Sequence, residues 1–158
     1  MAKISRRQFI VGAAVAGTGA CVCGLGGCAT FTKVGDTPAI SSNAYRIEHK
    51  SMQIDLRNVP ELAKVGGSVK IIDAKLPQSI IIARTGEAEY AAVSLLCPHR
   101  SVEVEYQHAD RQFRCASLGH STFGEDGCLR KGFADKSLTK FDAKLDPSDK
   151  TRLIITLS

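Results

Sequence analysis

Short runs of aliphatic and β-branched residues, each closed by a turn signal, fill residues 45–158. No helical period of useful length appears there, so the pattern predicts strands over 52–56, 68–73, 80–83, 91–95, 102–106, 112–114, 141–145 and 153–157. Val102-Glu103-Val104-Glu105-Tyr106 alternates cleanly, which predicts one buried and one wetted face. Ile80-Ile81-Ile82 does not alternate and predicts a strand covered on both sides. Turn chemistry falls at Gly66-Gly67, Thr85-Gly86-Glu87, Ala109-Asp110 and Asp126-Gly127, and residues 58–64 can form one short helical turn. Short strands with recurrent turns predict an all-β sandwich or barrel.

Residues 1–44 follow a different pattern. Ser5-Arg6-Arg7-Gln8-Phe9-Ile10 resembles a twin-arginine export signal, and the mild apolar run over 10–20 completes the shape of a signal peptide. Two endings are open. Leu25-Gly26-Gly27-Cys28 resembles a lipobox, in which Cys28 would be diacylated and become the mature N-terminus. Alternatively, residues 9–32 carry no charge over 24 positions and are long enough to remain as a spanning anchor, despite six glycines. The domain plan is therefore a signal or anchor over 1–28, a linker over 29–44 rich in small and turn-forming residues, and one domain over 45–158.

Charge changes this picture little. The formal net charge is +5, but Lys3, Arg6 and Arg7 lie in the leader, and the remainder holds 18 basic against 16 acidic residues. The basic residues are scattered, so nucleic-acid binding has no support. Of the six cysteines, Cys21, Cys23 and Cys28 lie in the leader, leaving Cys97, Cys115 and Cys128 in the domain. Three cannot all pair with one another, which argues against a disulfide framework.

The chemistry concentrates in residues 97–123, CPHRSVEVEYQHADRQFRCASLGHSTF. Cys97 and His99 are one residue apart, fifteen residues follow, and Cys115 is trailed by His120. Two soft sulfurs and two nitrogens on two loops suit zinc or a mixed-ligand iron–sulfur centre. His49 and His108 have no partner at a useful spacing and read as ordinary surface or core residues. Cys128 reads as a small side chain, with substitution for a missing ligand as the alternative.

The first box, the gap and the flanking residues resemble the Rieske [2Fe–2S] family, whose pattern is Cys-x-His, a gap, then Cys-x-x-His-Gly-Ser-x-Phe/Tyr. The second box departs from it. Leu118 occupies the family's usual histidine position, Gly119 follows in register, and the pattern resumes at Ser121 and Phe123 with His120 as one inserted residue. Either His120 takes over ligation, or a three-ligand or exogenously completed site results, or no cluster forms.

The resemblance implies a Rieske-like antiparallel base with a small inserted cluster-binding subdomain over about 95–134. It implies Cys97 and Cys115 on the inner iron, and His99 on the outer iron with His120 provisionally beside it. It also implies a low-tuned centre. High-potential members have a bracing disulfide at positions that are Val102 and Ser117 here, absent as in the ferredoxin-like branch, and Phe123 lacks the tyrosine hydroxyl that in those members bonds a cluster sulfur, although Ser121 can fill the serine's part. Gly132-Phe133-Ala134 stands where the family has a Gly-Pro-Ala loop, with Phe133 replacing the proline. The twin-arginine route moves folded proteins, which suits a cluster assembled before export.

The function implied is one-electron transfer by an exported protein tethered to the outer (periplasmic) face of a bacterial cytoplasmic membrane. Its partners would be quinol or a quinol-oxidising cytochrome b subunit, and a cytochrome c. The chain would act as a subunit of an oxidoreductase rather than make bonds itself. The alternatives are a cluster-free structural or interaction module on the same fold, and a mononuclear zinc or iron site using Cys97, His99, Cys115 and His120.

Overall fold

The computed structural model describes residues 35–157, so the export signal, the lipobox-like Cys28 and the alternative anchor lie outside the described residues. Among the described residues, eleven strands form two antiparallel sheets. Strands β1 (Tyr45–Glu48), β2 (Ser51–Asp55), β3 (Ser68–Ile71), β4 (Ile80–Arg84) and β5 (Tyr90–Ser94) precede the loops that carry Cys97 and Cys115. A small group follows: β6 (Val104–Gln107), β7 (Gln112–Cys115), β8 (Thr122–Gly124) and β9 (Leu129–Lys131). The chain closes with β10 (Lys140–Leu145) and β11 (Arg152–Thr156). The large sheet runs β1-β2-β11-β10-β5-β4-β3, and the small one, inserted between β5 and β10, runs β6-β7-β8-β9.

Each of the eight predicted runs overlaps a strand, with ends shifted by up to two residues, and residues 58–64 fall across two short 3₁₀ turns, Leu56–Asn58 and Pro60–Ala63. Strands β1, β8 and β9 were not anticipated. The last two have three residues each and little apolar pattern, so their pairing is set by the neighbouring strand rather than by their own sequence. Among the described residues no helix is long and apolar enough to cross a membrane.

The triple isoleucine explains how the two sheets are joined. Ile80 and Ile82 point into a core with Met52, Ile54, Leu62, Phe141, Leu153 and Ile155. Ile81, from the other face of β4, joins Val93 and Leu95 in a second core with Val104, Phe113 and Phe123. Side chains alternate across a strand, so a run without polar positions must be buried on both sides. The thiol-bearing residues Cys97 and Cys115 belong to this second core. The small sheet therefore has no interior of its own; it closes over the back of the large one.

Residues 35–40, within the stretch predicted as a linker, lie along β3. Ala39 forms a parallel bridge with Lys70, Lys70 N–H donates to Pro38 O at 2.8 Å, and Ile40 N–H donates to Lys70 O at 3.1 Å. Gly35 and Thr37 are buried there.

Candidate metal centre

Each cysteine sits where a strand gives way to a tight loop. Cys97 N–H donates to Val102 O, and Ser101 N–H donates back to Cys97 O, both at 2.8 Å. Ser101 adopts φ +53 to close that turn. Val102 thus serves the loop, and strand β6 begins only at Val104. Cys115 ends β7 opposite Val104, and its N–H donates to Ser121 O at 2.8 Å, so residues 116–120 bulge out as a closed loop. Inside the bulge His120 N–H donates to Ser117 O at 3.0 Å with His120 at φ +41, which puts Leu118 at the tip. Leu118 is 96% exposed.

The two loops bring the Cys97 and Cys115 thiols together in a fully buried position. Burial pushes the Cys97 thiol up to about 11; the His99 backbone N–H pulls the other way, the Cys115 thiol adds to the rise, and the Ser121 hydroxyl opposes it. The Cys115 thiol donates to Ser117 Oγ at 3.1 Å. Ser121 is itself fully buried and accepts Ala134 N–H at 3.0 Å, so its own proton is free to point at sulfur.

His99 stacks against Phe133, with ring centroids 6.1 Å apart and planes inclined by 28°. Its Nδ1 is buried and has no hydrogen-bond partner. Such an orphaned group costs about 1–3 kcal/mol unless something binds it. His120 is placed differently: its side chain is exposed and its Nδ1 lies 3.5 Å from Cys115 O. Among the described residues, no three His, Cys, Asp or Glu side chains converge as the donors of one ion.

The two buried thiols are the kind of donor pair an iron–sulfur cluster takes and the orphaned Nδ1 of His99 is a donor left unused, but the structure gathers neither His99 nor His120 with the thiols into one donor set. Cys128 does not join them either. It is exposed on the turn after β8, at the opposite end of that strand from the ligand loop, and its N–H is held by Asp126 Oδ1 at 3.0 Å. His49 and His108 lie on exposed hairpin turns. Phe133, expected from the sequence to matter only as the replacement of a proline, instead contacts His99 with its ring. Gly119 and Gly132 on either side of the ring were the available signal.

Comparison with known proteins supports the fold. No model of a known protein family matches the chain, and no curated protein matches it. Among solved structures, the ferredoxin of carbazole 1,9a-dioxygenase from Nocardioides aromaticivorans IC177 is similar over 60% of this chain and 88% of its own, with 17% identity and a TM-score of 0.50. The cyanobacterial plasma membrane Rieske protein PetC3 from Synechocystis PCC 6803 is similar over 56% of this chain and 85% of its own, with 19% identity and a TM-score of 0.47. The fold is all-β and Rieske-like: an antiparallel base with a small inserted sheet flanked by the Cys97 and Cys115 loops.

Proposed function

We propose that this chain carries single electrons on a [2Fe–2S] cluster held by Cys97, Cys115, His99 and His120. The observation that carries the reading is the buried pair of thiols on two facing loops, beside a histidine whose buried Nδ1 has no partner. When bound, such a cluster supplies a one-electron centre whose potential rises because neutral imidazoles replace two thiolates.

The chain's own residues do the rest. Phe113, Phe123 and Val104 surround the cysteines with apolar side chains and keep water from the sulfurs. Ser121, and Ser117 once Cys115 is a thiolate, supply hydroxyl protons to the two sulfurs, which favours added negative charge there. His120 stands on the same loop as Cys115 and supplies the fourth donor by turning its ring away from the Cys115 carbonyl.

The setting proposed is the outer face of a bacterial cytoplasmic membrane, with the twin-arginine leader and either an acylated Cys28 or the uncleaved apolar segment as tether. Donor and acceptor would then be quinol, or a quinol-oxidising subunit, and a cytochrome c. The support is the leader motif together with the donor set.

Iron and labile-sulfide analysis, with EPR of the dithionite-reduced protein, tests the reading. Equal iron and sulfide with a rhombic signal is expected. His120→Ala should abolish that signal, and Leu118→His in the same background should restore it. Iron without sulfide would point to a mononuclear site. No metal in either protein would leave the cluster-free module, which the outward placement of Leu118 and His120 favours.

A further inference from the structure

Phe133 is 74% exposed, yet its ring has a defined place against His99. A side chain left so far in water gains little from burial, so its orientation needs a local cause. One lies behind the ring. Gly132 takes φ +115, a conformation that L side chains rarely adopt, and a Cβ there would run into Ser121. On the other side of Phe133, Ala134 N–H is tied to Ser121 Oγ at 3.0 Å. The backbone that carries Phe133 thus passes close against Ser121 on one flank and is hydrogen-bonded to it on the other.

The second cause lies in front. A Cβ on Gly119 would stand 2.9 Å from Phe133 Cδ2 and 3.8 Å from His99 Cε1. Gly119 is not among the glycines with positive φ, so space is what limits this position in the structure. Three loops, those of His99, Gly119 and Phe133, meet at one point, and the missing side chain of the middle one leaves room for the ring.

We propose that Phe133 is a positioning residue for His99: its ring holds the imidazole in one orientation and covers it from solvent, and Gly119 is the gap that admits it. The inference rests on the reading that His99 holds the cluster. Because the ring is mostly exposed, truncating it removes the stack without opening the core.

Phe133→Ala and Phe133→Leu should speed the loss of iron to an excess of chelator by roughly three- to tenfold, the range expected for one aromatic pair. Phe133→Tyr should return the wild-type rate, and melting temperatures should stay close to wild type throughout. Gly119→Ala should give the same acceleration alone and none on top of Phe133→Ala, since no ring is left to collide with. Unchanged rates in Phe133→Ala, or additive effects in the double variant, would overturn the proposal. If the full chain purifies without iron, the cluster reading fails, and proton NMR decides the stack by itself. The His99 Cε1–H resonance should then lose its ring-current shift in Phe133→Leu; an unmoved resonance would overturn the positioning role.

Discussion

Lys70 Nζ lies 2.8 Å from Glu103 Oε2, and the two side chains are only 9% and 12% exposed. The same carboxylate oxygen accepts Gly35 N–H at 2.8 Å, while Lys70 Nζ donates to Gly35 O at 3.4 Å. Glu103 also accepts Ala116 N–H at its backbone carbonyl, at 3.0 Å, beside Cys115. One residue therefore joins the edge strand β3, the incoming N-terminal chain and the Cys115 loop.

Removing one member of this pair leaves the other charge buried alone. Glu103→Ala or Lys70→Ala should each cost about 3 kcal/mol, whereas Lys70→Met with Glu103→Leu should recover most of that loss. Urea denaturation of the four proteins measures it. Single losses below about 1 kcal/mol would place the pair with ordinary surface ion pairs.

A second polar clamp should show itself in acid. Glu125 accepts Tyr106 Oη–H at 2.6 Å and lies 2.8 Å from Arg111 Nη2. Burial works to raise its carboxyl, but the hydrogen bonds from Arg111 and Tyr106 outweigh burial and hold it below its ordinary value. A lowered carboxyl stabilises the fold above the ordinary glutamate value and loses that contribution as pH falls through the lowered one. Glu125→Gln should therefore cost about 1 kcal/mol near neutrality, discounted because Arg111 is exposed. The difference from wild type should shrink below about pH 4. A difference independent of pH between 7 and 3 would remove the charge from the explanation.

Phe123 is fully buried, lies opposite Phe113 on β7, and carries no hydroxyl that could reach a sulfur of the proposed cluster. Voltammetry of the iron-loaded protein should give a potential well below the upper end of the Rieske range, roughly +300 mV. Phe123→Tyr should raise it if the new hydroxyl reaches a sulfur. A hydroxyl that finds no partner should instead cost about 1–3 kcal/mol in stability with the potential unmoved.

Export and anchoring are tested in cells. Replacing Arg6 and Arg7 by lysine should hold the precursor in the cytoplasm, and continued export would sink the twin-arginine reading. Mass spectrometry of membrane-extracted protein should find an acylated Cys28 as the first residue. An intact Met1 or Ala2 terminus would leave the uncleaved anchor.

The β pattern was legible in the sequence because it is local. The unbroken Ile80–Ile82 run depends only on which faces of a strand meet water, and burial follows it; the alternation from Val102 to Tyr106 places Val102 and Val104 inside, but its wet face fails at Glu103, which the Lys70 ion pair draws inward. Cys97 and Cys115 could be paired from spacing and resemblance alone; their burial side by side is a tertiary result, because the core that holds them includes Ile81, Val93 and Leu95 from the base. Short strands β8 and β9 were silent in sequence for the same reason, since a three-residue strand is selected by its neighbour.

What only the tertiary structure decided lies at long range. The sequence shows a flexible-looking stretch before residue 45, yet residues 35–40 dock on β3 through a lysine and a glutamate that are 33 positions apart. It shows Phe133 as a lost proline, yet the ring lies on His99 because Gly119, fourteen residues upstream, leaves the space. Periodicity reports the faces of each strand, whereas a side chain that acts between loops leaves no period to read.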